Sequence, residues 1–292
     1  MTYRKPIFYL CLLLPGLVFL LLFTYMPLVR SLIDSLHDHR FAAGTNPFVG
    51  MANYLRLFGD ANFLAAVKNN VIYLIFTVIP GLFLALLLAL ALRKNCLINR
   101  WLRAVFFFPT IIPLVAAASL WSFIFLPGIG LLDYYFGQFF SSPAHNFLGQ
   151  EKTALWALIA ISIWKFAGYY MLFFLAGLQG IPDDAMEAAQ IEGASRLQCF
   201  WHITLPLLRP TLTFVATVSL IYSVTQIDHV AIMTNGGPVN STTVILHYIQ
   251  TTAMQSQDYG KASAATFLTV VALFVLSWLN LSVIDRGTYY ER

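Results

Sequence analysis

"EAAQIEGASRLQCFWHITLPLLRP", Glu187 to Pro210, gathers charge, a glycine and two prolines in a chain that is otherwise strongly apolar. It follows "IPDDAM", in which Pro182 stops a preceding apolar run and Asp184 is placed to cap a new helix. Glu187, three residues on, completes a capping box by reaching back to the cap's backbone N–H. Both acids also suit the positive end of the helix dipole. Ala185, Ala188 and Ala189 recur at helical spacing and give a face with almost no side-chain bulk, open to close approach by another surface. Gly193 is expected to end this helix in a left-handed conformation. Ser195 and Gln198 form a second capping-box pair, and Leu197, Phe200, Trp201 and Leu205 fall on one face of a second short helix. Pro206 and Pro210 close the unit. A helix resting on lipid headgroups would show the same amphipathicity, so these features alone leave its partner open.

The surrounding chain sets the solvent. Of 292 residues, 59% are hydrophobic and only 10% charged, with a mean hydropathy of +0.73. Soluble domains carry about 25% charged residues. Too few polar side chains are present to solvate a globule, so lipid must cover most of the surface. The net charge of +4 is small and scattered, which speaks against a nucleic-acid partner. Cys11, Cys96 and Cys199 lie far apart and form no CxxC pair, so they read as reduced packing residues without a disulfide framework or metal site.

A spanning helix needs about 20 mainly apolar residues. Six segments qualify, at about residues 7–29, 70–92, 104–125, 154–178, 211–234 and 262–284. The first follows Arg4 and Lys5 without a small-residue cleavage site after it, and is expected to be a retained anchor. Alternate loops place ten Lys and Arg on one side, including Arg93, Lys94, Arg100, Arg103, Arg196 and Arg209, and six on the other; Lys165 lies within a span. That bias puts both termini in the cytoplasm. The expected fold is an all-α integral membrane protein of six spans, one transmembrane domain over residues 1–292, with a cytoplasmic loop at about 182–206.

The spacing in that loop carries a resemblance. Glu187-Ala188-Ala189, three residues, Gly193, nine residues, Ile203, one residue, then Leu205-Pro206 resembles the EAA loop of binding-protein-dependent ABC importer permeases. "FVGMANYLRLF" at Phe48 to Phe58, "LAGLQGIPDDAMEAA" at Leu175 to Ala189 and "MTNGGPVNSTT" at Met233 to Thr243 resemble the carbohydrate and glycerol 3-phosphate type, the first of its two paired permeases. Asn69-Asn70 departs from an Asn-Thr that is frequent in the family. The resemblance implies a type I importer fold, a bacterial inner-membrane location and no cofactor in this chain. It also implies three partners: a dimer of cytoplasmic ATPase subunits that use ATP and Mg, a second permease, and an external solute-binding protein. Carried onto this sequence, it assigns docking of the ATPase to Asp184, Glu187, Ala188, Ala189, Gly193, Ala194, Leu205 and Pro206. The chain has no GxxxxGK[ST] of its own, and Gly260-Lys261 is followed by Ala262, so it reads as a transport subunit that is not an enzyme.

Ionisable groups within a span are costly and point to function. Lys165 lies about 21 Å, and Asp228 about 26 Å, from the cytoplasmic side at 1.5 Å per residue. With Trp164, Tyr169, Tyr222 and Gln226 they form a candidate pathway for sugar hydroxyls and ring faces. A Lys165–Asp228 pair joining two spans is the competing assignment, as is Asp228 facing an outer vestibule. His229, Ser219, Ser223 and Thr225 make the same stretch polar. Pro15, Pro27, Pro80, Pro109 and Pro113 read as kinks in or beside spans. A membrane enzyme would want clustered ligands, and only His37 and His39, with Asp34 and Asp38, lie close together. A secondary transporter, with the 182–206 loop merely interfacial, would want an internal repeat and a coupling-ion site, and neither is visible.

Overall fold

A computed structural model describes residues 6–40, 46–140 and 146–284. Arg4, Lys5, Arg286 and Arg292, part of the orientation argument, lie outside the described residues. The chain forms helices α1 (Pro6–Leu20), α2 (Met26–Ser35), α3 (Ala52–Phe58), α4 (Ala61–Ala91), α5 (Leu97–Ile111), α6 (Leu114–Ile124), α7 (Leu131–Phe140), α8 (Glu151–Gln179), α9 (Asp183–Ile191), α10 (Arg196–Cys199), α11 (Leu205–Leu207), α12 (Arg209–Thr225), α13 (Asp228–Met233), α14 (Ile245–Met254) and α15 (Tyr259–Ile284). Wide π-turns join α1 to α2 at Leu21–Tyr25 and α10 to α11 at Phe200–Thr204. Among the described residues there is no β-strand, only isolated bridges between His37 and Phe48 and between Arg40 and Asp258.

Five helical stretches are long and apolar enough to cross a membrane: Leu12–Ser35, Ala61–Ala91, Glu151–Gln179, Arg209–Met233 and Tyr259–Ser282. The sixth expected span, 104–125, is not one helix. It is divided between α5 and α6, which meet at 96°. The cause is local: Pro113 has no N–H to continue the ladder, and Ile112 before it takes an extended ψ of 130°. The second span begins at Ala61 instead of Asn70, because Asp60 accepts the Asn62 amide at 2.9 Å and caps the helix nine residues earlier.

The chain divides into two compact units. One comprises residues 1–63 and 248–271, the other 64–247 and 272–292. In the first, buried Asn53 straps α3 to the end of α2 by donating to the carbonyls of Ser35 and His37 at 2.7 and 2.8 Å. Tyr54 and Ser35 hydroxyls meet at 2.8 Å. The opposite face of α3, with Met51, Leu55 and Phe58, stays exposed. Of the acids that sit among histidines in the sequence, Asp38 lies 3.0 Å from Arg40 and Asp34 lies 3.7 Å from His39; Asp258 lies 3.4 Å from Arg56. Asp60 accepts from the Lys261 ammonium and, at 2.7 Å, from Tyr248. Burial opposes ionisation of Asp60, but these donors outweigh it and hold the carboxyl below the usual carboxylate range.

In the second unit α8 is the central element, with Leu158, Ile161, Met171, Phe174 and Leu178 fully buried. Tyr170, Phe174 and Leu178 pack with Ala85 and Ala89 of α4 and Val215 of α12. Gly168 lets α5 approach closely, since a Cβ there would run into the carbonyl of Phe106. The "NGGP" segment forms a tight turn: Gly236 has φ +81°, and the Gly237 amide donates to Thr234 O at 2.9 Å. Asn69 ties this turn to α4 by donating to the carbonyls of Asn240 and Thr243 at 2.8 and 3.0 Å. Asn70, the residue at which the pair departs from Asn-Thr, accepts the Ile245 amide at 3.4 Å.

Two outcomes follow. Gly168→Ala is expected to lower stability by about 1–3 kcal/mol through overpacking. Gly81→Ala in α4, where a Cβ meets nothing within 4 Å, is expected to raise it by about 0.5–1 kcal/mol. Thermal unfolding of the purified protein in detergent checks both signs. The second outcome concerns pH. Buried His247 lies 3.3 Å from Asn235 Oδ1, and burial lowers its pKa from the usual 6.5. Below pH 6.5 the unfolded chain binds that proton before the folded one does, so stability falls as pH falls through that range. His247→Gln is expected to flatten the dependence of melting temperature between about pH 7.5 and 5.5.

Candidate functional site

The break between α5 and α6 is built from groups that a continuous helix would satisfy internally. In a helix the amide of residue 113 would donate to the carbonyl of Pro109, but Pro113 has none. Lys165 of α8 supplies the donor instead. Its Nζ lies 3.0 Å from Pro109 O and 2.6 Å from Ile112 O, with the side chain 3% exposed. Thr110 returns the contact, its hydroxyl donating to Lys165 O at 2.9 Å. Lys165 thus does not pair with Asp228; no ion pair joins them.

Beside this joint is a cavity of about 360 Å³, within the usual range for small-ligand sites. The break contributes Thr110, Ile112 and Pro113, α8 contributes Lys165, Phe166 and Tyr169, and Tyr222, Gln226 and Asp228 close it. Tyr169 and Tyr222 stack at 6.2 Å between ring centroids, and Phe166 lies 5.5 Å from Tyr222. Gln226 reaches the cavity because the fifth span is itself interrupted there: its backbone is extended, with ψ 103°, and Asp228 starts the next helix. Of the candidate pathway residues, Lys165, Tyr169, Tyr222, Gln226 and Asp228 come together. Trp164 does not; its ring packs edge-on against Trp121 at 5.3 Å.

The polar run around them splits by direction. Ser223 and Thr225 satisfy carbonyls of their own helix, at Leu220 and Ile221. His229 is buried, 2.9 Å from the Tyr73 hydroxyl and 3.4 Å from Ser162 Oγ. Thr110, Ile112 and Phe166 have no distinguishing mark in the sequence. The only signal for the broken span is Pro109 and Pro113, one helical turn apart.

Between α8 and α12 lies the polar segment that contains Glu187, Gly193 and Pro206. Helix α9 starts at Asp183, so Asp184 occupies its first turn and not the cap, and the Asp184–Glu187 capping box is not formed. Asp184, Glu187 and Ala188 are exposed, and Ala189 is half-buried. Gly193, at φ +85°, ends the helix as expected, and the Ala194 amide reaches back to Ala189 O at 2.9 Å in a Schellman closure. Ser195 and Gln198 form the second capping box, with both bonds present at 3.3 and 2.8 Å. The π-turn at Phe200–Thr204 then shifts the register. Leu197 and Trp201 are exposed while Phe200 and Leu205 are half-buried, so the four do not share one face. Pro206 and Pro210 stand in first helical turns, where a missing N–H costs nothing, and begin α11 and α12 instead of closing the unit. Ala189, Gly193, Ala194, Gln198 and His202 line a concavity of about 390 Å³ here.

These features have counterparts in known proteins. The profile of the binding-protein-dependent transport system inner membrane component matches residues 81–286. The probable ABC transporter permease protein YurN of Bacillus subtilis is 32% identical over 94% of this chain and 95% of its own length. The trehalose/maltose transport system permease protein MalF of Thermococcus litoralis is 31% identical over 97% and 95%. The sn-glycerol-3-phosphate transport system permease protein UgpA of Agrobacterium fabrum is 28% identical over 94% of each. In fold, a chain of a bacterial ABC transporter involved in the import of the acidic polysaccharide alginate superposes with a TM-score of 0.83, at 24% identity, over 97% of this chain and 96% of that one. A profile spanning most of the chain, relatives aligned nearly end to end and a shared helical architecture make this protein a member of the binding-protein-dependent transport system inner membrane components, a permease subunit that crosses the membrane several times.

Proposed function

We propose that this chain forms half of the passage of an ATP-driven importer for a sugar, an oligosaccharide or a polyol such as glycerol 3-phosphate. The names of its relatives support that class, spanning trehalose/maltose and glycerol 3-phosphate systems. The cavity's chemistry agrees with it. Gln226, Asp228 and the tyrosine hydroxyls offer paired donors and acceptors to hydroxyl groups, and the Tyr169–Tyr222 stack offers an aromatic wall. An external binding protein delivers the solute, and a second, homologous permease supplies the other half of the passage.

The observation that carries the coupling mechanism is the exposed, rigidly terminated helix α9. Its small face at Ala188, next to the exposed Glu187 and Gly193, fits a groove on a separate ATPase subunit. With both termini cytoplasmic, this helix faces the compartment where ATP and Mg are bound by that subunit. Closure of an ATPase dimer would move α9 and exchange inward-open and outward-open packings of the spans.

Co-purification from the native membrane in mild detergent tests the proposal. Wild type should retain an ATPase subunit and a second permease. The double variant Glu187→Lys, Gly193→Asp should retain at least about tenfold less ATPase, the effect of losing 1.4 kcal/mol of binding, while eluting as a folded protein. An ATPase that stays fully bound to the double variant would remove α9 as the docking element. No ATPase on wild type, in conditions that preserve a known importer, would reject the proposed assembly.

A further inference from the structure

The break in the third span needs an explanation that proline alone does not give. Proline removes one donor and kinks a helix, commonly by more than about 20°; here the two halves meet at 96°. A turn that sharp leaves the carbonyls of Pro109 and Ile112 without backbone donors. At membrane depth such groups must be satisfied within the protein. Among the described residues the side chain that donates to them is Lys165, from another helix, buried and in contact with both.

We infer that Lys165 is the positioning residue that holds the third span broken. Its ammonium acts as the C-terminal cap of α5, a cap that neither α5 nor α6 provides, and so fixes the wall of the cavity from Thr110 to Leu114. The Thr110 bond to Lys165 O locks the same two helices from the opposite direction. The closeness of α5 to α8 at Gly168, one turn further along, keeps the lysine root in register with the break. Two of the ammonium's three protons are thus committed to backbone. Asp228, on the same cavity, is left free to meet a solute. The inference takes its purpose from the cavity being a substrate passage, but its geometry stands without that reading.

The test reads the angle of the joint directly. Nitroxide labels on cysteines at Leu97 and Phe123, both exposed, are placed in full-length protein in lipid nanodiscs, with Cys11, Cys96 and Cys199 replaced by alanine. The bend puts these positions roughly 25 Å apart, against roughly 39 Å along a straight helix of the same residues at 1.5 Å per residue. Electron-spin distance measurements on wild type should give the short distance. Lys165→Met should lengthen it by about 5 Å or more, as the freed Ile112 carbonyl takes the Ala116 amide as its partner in a straighter helix. Lys165→Arg should restore the wild-type distribution, and Asp228→Asn should leave it unchanged.

A wild-type distance in Lys165→Met would overturn the inference. So would an equal shift in Asp228→Asn, which would make a lysine–aspartate interaction the true constraint. Where Lys165→Met fails to fold, adding Pro113→Ala returns the missing amide to Pro109 O. That pair must then fold and show the long distance, and its failure to do so overturns the inference as well. No solute, ATPase or second permease enters the measurement, so a negative result here leaves the importer reading standing, and the co-purification result leaves this one standing.

Discussion

Every backbone amide and carbonyl at membrane depth has to find its partner inside the protein, and the whole architecture follows from that requirement. Long helices meet it along most of the chain. α8 meets it over 29 residues without interruption, which lets it serve as the element against which α4, α5 and α12 pack. Where the ladder is broken, the chain needs donors from elsewhere, and both breaks border the same cavity. Pro113 removes a donor in the third span, and the extended Gln226 removes a turn from the fifth. The non-helical backbone is tolerated there because it lines a cavity supported by a buried ammonium.

The same accounting explains why Lys165 and Asp228 do not pair. An ammonium buried beside two bare carbonyls gains direct, charge-assisted hydrogen bonds at 2.6 and 3.0 Å. Reaching for the carboxylate would strand both carbonyls, each at a substantial desolvation cost. The negative group is left on the cavity wall with Gln226 and Tyr222. Those are groups able to exchange hydrogen-bond partners, which a substrate passage requires and a structural joint does not.

Much of this was legible in the sequence, for reasons that differ by element. Hydropathy identifies spans because lipid imposes length and composition, so α4, α8, α12 with α13, and α15 fall near their expected places. The left-handed Gly193 and the Ser195–Gln198 box were legible because each depends on backbone chemistry local to two or three residues. The cap at Asp184 was misplaced because α9 already begins at Asp183, which leaves the cap position to Pro182, a residue with no side-chain acceptor to mark it. The register of Leu197 to Leu205 was not legible, since a π-turn changes the helical period without a marker in the residues. The partner of Lys165 was hidden for a deeper reason. Its acceptors are main-chain carbonyls, which every residue carries, so no residue type announces them. Asn69 and Asn70 were hidden likewise, Asn69 holding the carbonyls of Asn240 and Thr243.

The placement of α9 gives the two breaks a mechanical meaning within the proposed importer. α9 follows α8 after three intervening residues, and through the capped turn at Ser195 it leads with little slack into α12. α8 carries Lys165, Phe166 and Tyr169, about 15 to 21 Å from its α9 end at 1.5 Å per residue. α12 carries Tyr222 in its last turn. A displacement applied to α9 therefore reaches both walls of the cavity along uninterrupted helices. Beyond those two helices, the joints next to Ile112 and Gln226 are where the backbone ladder is open. A stiff lever ending at a soft joint delivers motion to the joint, and in this chain the joints surround the cavity. The Schellman closure at Gly193 belongs to the same design: a slack connection there would absorb the displacement before either helix moved.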